Sequence, residues 1–286
     1  MTATTAILDC RAVAQRFHDW LAREMATLDS RPLLATVYYT PRKNPGSLQY
    51  RELIHKDAAR LGVDARDFEA ADETALLALI SKLNADPSVT GIMIFYPIGV
   101  HLPDEDLMDL VSPNKDVEGL HSVNLGYLIK YKQFLDEAQK VKCVVPATAK
   151  AVVKTLQHFE IPVDRRFVTI VNNSMRVGKP LGLMLENLGA TVVKCYDKTR
   201  LEDLQDCLRR ADIVITAVPD PAFRLDPSWI KPGAVVVDVS YQGNVDVKAL
   251  REPAAVTAAD NRIGQVTRAM MFVNLVYCAR AQRARK

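Results

Sequence analysis

The sequence predicts an α/β protein of two domains, each a largely parallel sheet covered by helices. Three observations carry this expectation. Short apolar, β-rich runs alternate with stretches of helical periodicity along the whole chain. Helix-length segments separate successive strand runs, and parallel neighbours need connections of that kind. The chain has 286 residues, 49% of them hydrophobic and 25% charged, which suffices for two separate cores.

Taken in order, residues 11–25 repeat apolar positions at helical spacing and residues 33–39 form an apolar run, so a helix precedes a buried strand. Pro45 and Gly46 break the pattern ahead of a second amphipathic helix over 48–61. A third helix over 73–83 leads into the strand 90–96 (TGIMIFY). From residue 148 a second α/β set begins, with a helix through 156, a strand over 167–171 (FVTIV), a polar turn and a helix over 180–188. The strand 191–195 and a charged helix follow, then the strands 213–218 (IVITAV) and 234–239 (AVVVDV). These four apolar strands with helical crossovers make a doubly wound parallel sheet. The last strongly periodic segment, 266–278, is a helix suited to packing back on the first domain. The domains are therefore expected at 1–147, completed by the helix 266–286, and at 148–265.

Composition excludes several classes of function. The net charge of +3 comes from 37 basic and 34 acidic residues mixed along the chain, so no basic stripe points to nucleic acid. The basic stretch 279–286 (ARAQRARK) reads as a solvated helix end. Five widely spaced cysteines without a CxxC pair argue against both a disulfide framework and a zinc site, and no metal is expected. No apolar run approaches the roughly 20 residues of a membrane span, and the start lacks a basic and then apolar leader, so a cytoplasmic protein without membrane contact is expected.

The strongest local signal lies between the strand 167–171 and the helix that follows it. The turn Asn172-Asn173-Ser174-Met175-Arg176-Val177-Gly178 holds one glycine and so is not a GxGxxG fingerprint. A strand-turn-helix in a parallel sheet nevertheless aims backbone N–H groups and a helix N-terminus at whatever sits above the strand end, which favours a phosphate. Taken alone, an ordinary polar turn is about as good a reading. About 20 residues further on, Asp197 follows the next strand, where dinucleotide-binding sheets of the Rossmann type place the acid that bonds the ribose. A carboxylate there repels a 2′-phosphate and so favours NAD over NADP, the plainer alternative being a cap on the following helix. A third strand end, 216–221 (TAVPDP), is irregular and suits the nicotinamide side, though this is the weaker assignment.

By themselves, Tyr50 on a helix and Lys115-Asp116-Val117-Glu118-Gly119 in a turn are uninformative, although two alternating acids before glycine suit one inward carboxylate and one cap. Taken together with 44–50 (NPGSLQY), 90–97 (TGIMIFYP), 115–121 (KDVEGLH), 145–148 (VPAT), 173–181 (NSMRVGKPL), 229–238 (WIKPGAVVVD) and 264–270 (GQVTRAM), they make a collinear set covering nearly the full length. In these segments the chain resembles the methylenetetrahydrofolate dehydrogenases and methenyltetrahydrofolate cyclohydrolases. The resemblance implies an N-terminal folate-binding catalytic domain completed by the C-terminal helix, a Rossmann-like NAD-binding domain, and a homodimer. It implies Tyr50, Ile54, Phe95 and Glu118 at the catalytic positions and Tyr50, Phe95, Pro97, Asp116, Glu118 and Thr267 against substrate. For the cofactor it implies Thr148, Asn173, Ser174, Arg176, Val177, Gly178, Asp197, Ala217, Val218, Pro219 and Val239.

The departures from the family pattern carry information of their own. Bifunctional members have Lys where this chain has Ile54, Gln where it has Phe95 and Asp where it has Glu118. Their Pro-Gly-Gly turn is Asp260-Asn261-Arg262 here, and NADP-using members have Ser at position 197 and sometimes Arg at 173. Several of these changes resemble the monofunctional NAD-dependent dehydrogenases of fungi. Oxidising 5,10-methylenetetrahydrofolate needs only hydride departure, because the flanking nitrogens delocalise the charge left behind. Opening the methenyl cation needs an activated water, a task worth roughly 10²–10⁴-fold when a tuned acid or base is in place. Ile54 and Phe95 cannot do that, and His55 and Lys56 point about 100° and 200° away from residue 54 as solvated helix-surface groups. The expected activity is thus NAD-dependent oxidation of a tetrahydrofolate-linked one-carbon unit, with the cyclohydrolase step lost. Two alternatives stay open, an oxidoreductase with a changed substrate and a catalytically silent nucleotide-binding regulator.

Overall fold

The computed structural model describes residues 6–257 and 263–284. In chain order the elements are β1 (Ala6–Leu8), α1 (Cys10–Met25), β2 (Leu33–Tyr39), α2 (Pro45–Leu61), β3 (Asp64–Ala70), α3 (Glu73–Ala85), β4 (Gly91–Ile94), α4 (Asp104–Leu110) and α5 (Ser122–Ile129). There follow β5 (Phe134–Asp136), β6 (Val141–Lys142), α6 (Ala147–His158), β7 (Phe167–Val171), α7 (Gly178–Glu186), β8 (Thr191–Cys195), α8 (Leu201–Arg210), β9 (Ile213–Thr216), β10 (Val235–Asp238), β11 (Ala255–Thr257) and α9 (Gly264–Arg283). The described residues form two compact units, one of residues 6–16 with 148–257 and 263–267, the other of residues 17–147 with 268–284. Among them no helix is long and apolar enough to cross a membrane.

The second unit is built on a three-stranded parallel sheet in the order β3-β2-β4. Alternation along β2 sends Leu33, Ala35 and Val37 into a core with Leu76, Ile80 and Leu83 of α3 and Leu107 of α4. Its opposite face carries Thr36 and Tyr38, in register with Asp67 and Glu69 of β3. Pro45 and Gly46 do not break the chain here. Pro45 is the first residue of α2, where a missing N–H costs nothing, and Asn44 caps it in a reciprocal box with Ser47. Gly62, at φ +71°, closes the helix in the left-handed conformation. The sequence offered no strand at 64–70, because β3 is a polar edge strand with most of its charged residues exposed.

Helix α9 fixes β4 and the turn between α4 and α5. Its residues 269–278 are buried, and a Cβ at Gly91 would stand 2.3 Å from Val117 and 2.7 Å from Leu275, so only glycine admits this packing. The Asn274 amide donates to the Val117 and Val145 carbonyls, each at 2.9 Å. Lys115 is buried, and its ammonium donates to the carbonyls of Leu83, Asn84 and Asp86 at 2.6–3.0 Å, capping the end of α3.

The first unit holds a six-stranded, wholly parallel sheet in the order β1-β11-β10-β9-β7-β8. Four strands were expected; β1 and β11, three residues each, extend the sheet at one edge and are too short to give a periodic signal. Residues 6–16 consequently belong with this sheet, where the sequence placed them in the N-terminal domain, because Ala6–Leu8 pair with Ala255–Thr257. Val171, Val214, Val236 and Val256 from neighbouring strands pack against Leu208 of α8, forming one of the unit's cores.

Candidate functional site

In the unit of residues 17–147 the side chains converge beneath α2. Phe95 follows β4, its N–H donates to the Val37 carbonyl at 3.1 Å, and its ring stacks on Tyr38 with centroids 3.9 Å apart and planes 20° from parallel. Tyr50, half-buried on α2, meets Phe95 edge-on at 6.4 Å and 82°, so two of the expected substrate residues are brought together. Pro97 lies exposed after a cis Tyr96-Pro97 bond. Burial pushes the Tyr38 phenol well above its ordinary value, so it stays neutral. Tyr50 and residue 54 are an i, i+4 pair on α2, a spacing that puts two side chains on one helix face and would turn both toward a ligand. The structure instead buries Ile54 completely, with Ala58 and Leu61 on the same stripe of α2.

The polar residues beside this aromatic cluster gave no sequence signal. Thr36 and His55 both hydrogen-bond Asp67, His55 at 2.9 Å, while Arg51 stands 3.5 Å from the same carboxylate and 5.9 Å from the Tyr38 ring. Partial burial opposes ionisation of Asp67, but the hydrogen bonds from Thr36 and His55 and the charges of His55 and Arg51 outweigh it and hold the carboxyl below its usual range. His55 is therefore tied to the edge strand, while Lys56 is exposed as expected.

Of the two acids in the turn between α4 and α5, Asp116 is the cap. It is buried, and its oxygens accept from the N–H groups of Gly119 and His121 and from the Asn124 amide, at 2.8–2.9 Å. Burial pushes its carboxyl above the usual range in spite of these bonds. The carboxylate of Asp116 is thus turned to its own loop. Glu118 is half-buried, and its backbone is clamped by the Ala147 N–H at 3.1 Å. Thr267 is half-buried in the first turn of α9, and the altered turn Asp260-Asn261-Arg262 lies outside the described residues.

In the unit carrying the six-stranded sheet, the organising side chain of the turn after β7 is Asn172, one residue before the expected set. Its oxygen accepts from the Ser174 N–H and hydroxyl and from the Gly178 N–H, and its amide donates to the Ala217 carbonyl at 2.7 Å. A Cβ on Gly178 would stand 2.1 Å from the Asn172 carbonyl oxygen, so glycine is required there. The N–H groups of Val177, Gly178 and Lys179 are already engaged within the turn. What the turn offers an anion is the start of α7, whose first turn has no acid, with the exposed cationic residues Arg176 and Lys179 beside it.

The neighbouring strand ends line up with this turn. Asp197 follows β8 with a side chain 78% exposed, 3.4 Å from Lys198. Ala217 and Val218 are half-buried after β9, with Pro219 exposed beyond them, and Val239 follows β10, its N–H on the Thr216 carbonyl at 2.8 Å. Asn244, 1% exposed and unforeseen from sequence, accepts from the Val218 N–H and the Thr216 hydroxyl and donates to the Val218 carbonyl. Thr148 is half-buried at the start of α6. Because the strands run β10-β9-β7-β8, these ends form one row at about 4.8 Å per step, the place where open parallel sheets bind ligands. Among the described residues no group of three or more His, Cys, Asp or Glu side chains is placed to hold a metal.

Residues 8–118 match the family described as the tetrahydrofolate dehydrogenase/cyclohydrolase catalytic domain, and residues 146–283 match its NAD(P)-binding domain. A bifunctional protein FolD of Leuconostoc citreum is 34% identical over 286 residues, covering 96% of this chain and 98% of its own. A solved 5,10-methylenetetrahydrofolate dehydrogenase from the silkworm Bombyx mori is 30% identical, with a TM-score of 0.85 over 99% of this chain and 100% of that one. The NAD-dependent 5,10-methylenetetrahydrofolate dehydrogenase of Saccharomyces cerevisiae has a TM-score of 0.84 at 24% identity, covering 99% of each chain, a likeness of fold.

Proposed function

This chain belongs to the tetrahydrofolate dehydrogenase/cyclohydrolase family, and we propose that within it the protein oxidises 5,10-methylenetetrahydrofolate to the methenyl form with NAD and has lost the hydrolytic second step. The observation that carries the reading is the pair Ile54 and Phe95. One is wholly buried and aliphatic, and the other is spent in an aromatic stack, so neither offers a group that activates water.

The dehydrogenase step asks less of the protein. It needs a wall that holds the folate, an acceptor for the pterin edge and tolerance of a developing cation. The Tyr50 edge and the Phe95 face supply the wall, and Glu118 supplies a charge-assisted acceptor. Tyr38, stacked behind Phe95 and neutral, keeps that ring in place. An apolar wall of this kind also excludes water from the product.

NAD, once bound, supplies the hydride acceptor. The row of strand ends fits such a dinucleotide, with the cationic start of α7 for the pyrophosphate, Asp197 for a ribose diol, and Ala217 to Pro219 and Val239 toward the other half. The carboxylate at 197 supports NAD over NADP. In this reading the unit of residues 17–147 and 268–284 takes the folate, the other unit takes the nucleotide, and the protein works as a homodimer. The test is reduction of NAD by 5,10-methylenetetrahydrofolate followed by absorbance. Failure of transfer to both NAD and NADP would sink the reading and favour a changed substrate.

A further inference from the structure

Among the exposed large hydrophobic side chains of the described residues, Tyr241 is the most exposed, at 75%. Isolated exposed apolar groups are ordinary on a protein surface. Tyr241 differs in how firmly it is presented. It sits in the loop after β10, and that loop is folded around the buried carboxylate of Asp238. One oxygen of Asp238 accepts from the Ser240 N–H at 2.9 Å and hydroxyl at 2.6 Å; the other accepts from the N–H groups of Asn244 at 2.6 Å and Val245 at 3.3 Å. Gly243, at φ +82°, makes the reversal that brings Asn244 back under the sheet end. The Asn244 side chain then ties the loop to both polar groups of the Val218 backbone. The backbone under Tyr241 is therefore fixed, and its ring projects from a pinned loop.

The position of that loop gives the ring a role. The row of strand ends runs from Asp197 after β8, through the turn after β7 and Val218 after β9, to the loop after β10. A dinucleotide whose adenosine ribose meets Asp197 and whose pyrophosphate meets the start of α7 carries its nicotinamide half toward β9 and β10. We propose that Tyr241 packs its ring against the nicotinamide end of the bound dinucleotide and distinguishes its two redox forms. The oxidised nicotinamide is a cation and the reduced one is neutral, so the negative face of an aromatic ring attracts the first and is nearly indifferent to the second. The ring thus holds the co-substrate more tightly than the reduced product and speeds the exchange of one for the other. This inference rests on the nucleotide reading given above.

The test is binding to the full-length protein, without turnover. NAD is titrated by calorimetry and NADH by its own fluorescence, for the unmodified chain, Tyr241→Leu and Tyr241→Phe. Tyr241→Leu is expected to weaken NAD by about two- to fivefold, in line with an exposed cation–π contact, and to change NADH by less than that. Tyr241→Phe, which keeps the π face, is expected to match the unmodified protein with both ligands. Equal losses for the two forms, or no loss for either, would overturn the proposal while leaving the nucleotide site intact. Absence of binding of both forms to the unmodified chain would overturn the nucleotide reading and this inference with it.

Discussion

Phe95 lies face to face with Tyr38, ring centroids 3.9 Å apart and planes 20° from parallel. The stack and the buried Ile54 make this part of the site a continuation of the hydrophobic core. Restoring the ionisable group alone is therefore predicted to fail. Ile54→Lys puts an ammonium where the native side chain has no exposure, and is expected to lower stability by about 3 kcal/mol or more, whereas Ile54→Met costs under about 1.5 kcal/mol. Urea unfolding of the two variants measures the difference. Equal and small losses would mean that the site has room and solvent for a charge.

A second prediction concerns cofactor choice. Asp197 is 78% exposed, so its repulsion of a 2′-phosphate acts only at contact and is partly screened by solvent. Asp197→Ser is expected to improve the NADP to NAD ratio of kcat/KM by roughly tenfold, chiefly through the KM for NADP. An unmodified protein that already uses NADP as well as NAD would contradict the assignment.

A third prediction follows from His18. Its Nδ1 is buried without a hydrogen-bond partner, and Asp57 and Arg268 nearby pair with each other at 2.7 Å. Burial lowers the pKa of His18; Asp57 opposes this, and Arg60 and Arg268 reinforce it. The folded protein thus keeps the imidazole neutral while the unfolded chain takes up a proton near its ordinary pKa of about 6.5. Stability from this group is full above that pH and falls as the pH drops below it. The urea midpoint of the unmodified protein should decline on going from pH 7 to pH 5, and His18→Leu should flatten that decline. A curve of unchanged slope in the variant would show that other groups set it.

Much of this architecture is legible in the sequence, because long amphipathic helices and apolar central strands announce themselves by period. Strands β1 and β11 are too short for that, and β3 carries its charges as an edge strand. At the N-terminus of α2 the pair Pro45 and Gly46 reads as a break until Asn44 and Ser47 are recognised as a capping box. In the site, Tyr50 and Phe95 stand out only through the family resemblance, and the structure sets their rings edge to face. Asn172, Asn244 and the His55–Asp67 pair do not stand out, since each acts through partners distant in sequence, such as Ala217 for Asn172. Asp116 and Glu118 look interchangeable in the sequence, and only the structure shows that Asp116 is the buried cap of its own loop.

The most direct measurement follows both products of one reaction. With 5,10-methylenetetrahydrofolate and NAD, in a buffer that does not itself catalyse ring opening, NADH and methenyltetrahydrofolate are recorded together by absorbance until the reaction ends. The predicted result is one-to-one accumulation, after which the methenyl product decays at the rate seen without enzyme. NADH formed with a growing shortfall of methenyltetrahydrofolate, in proportion to enzyme, would show that the chain hydrolyses its own product and would contradict the account.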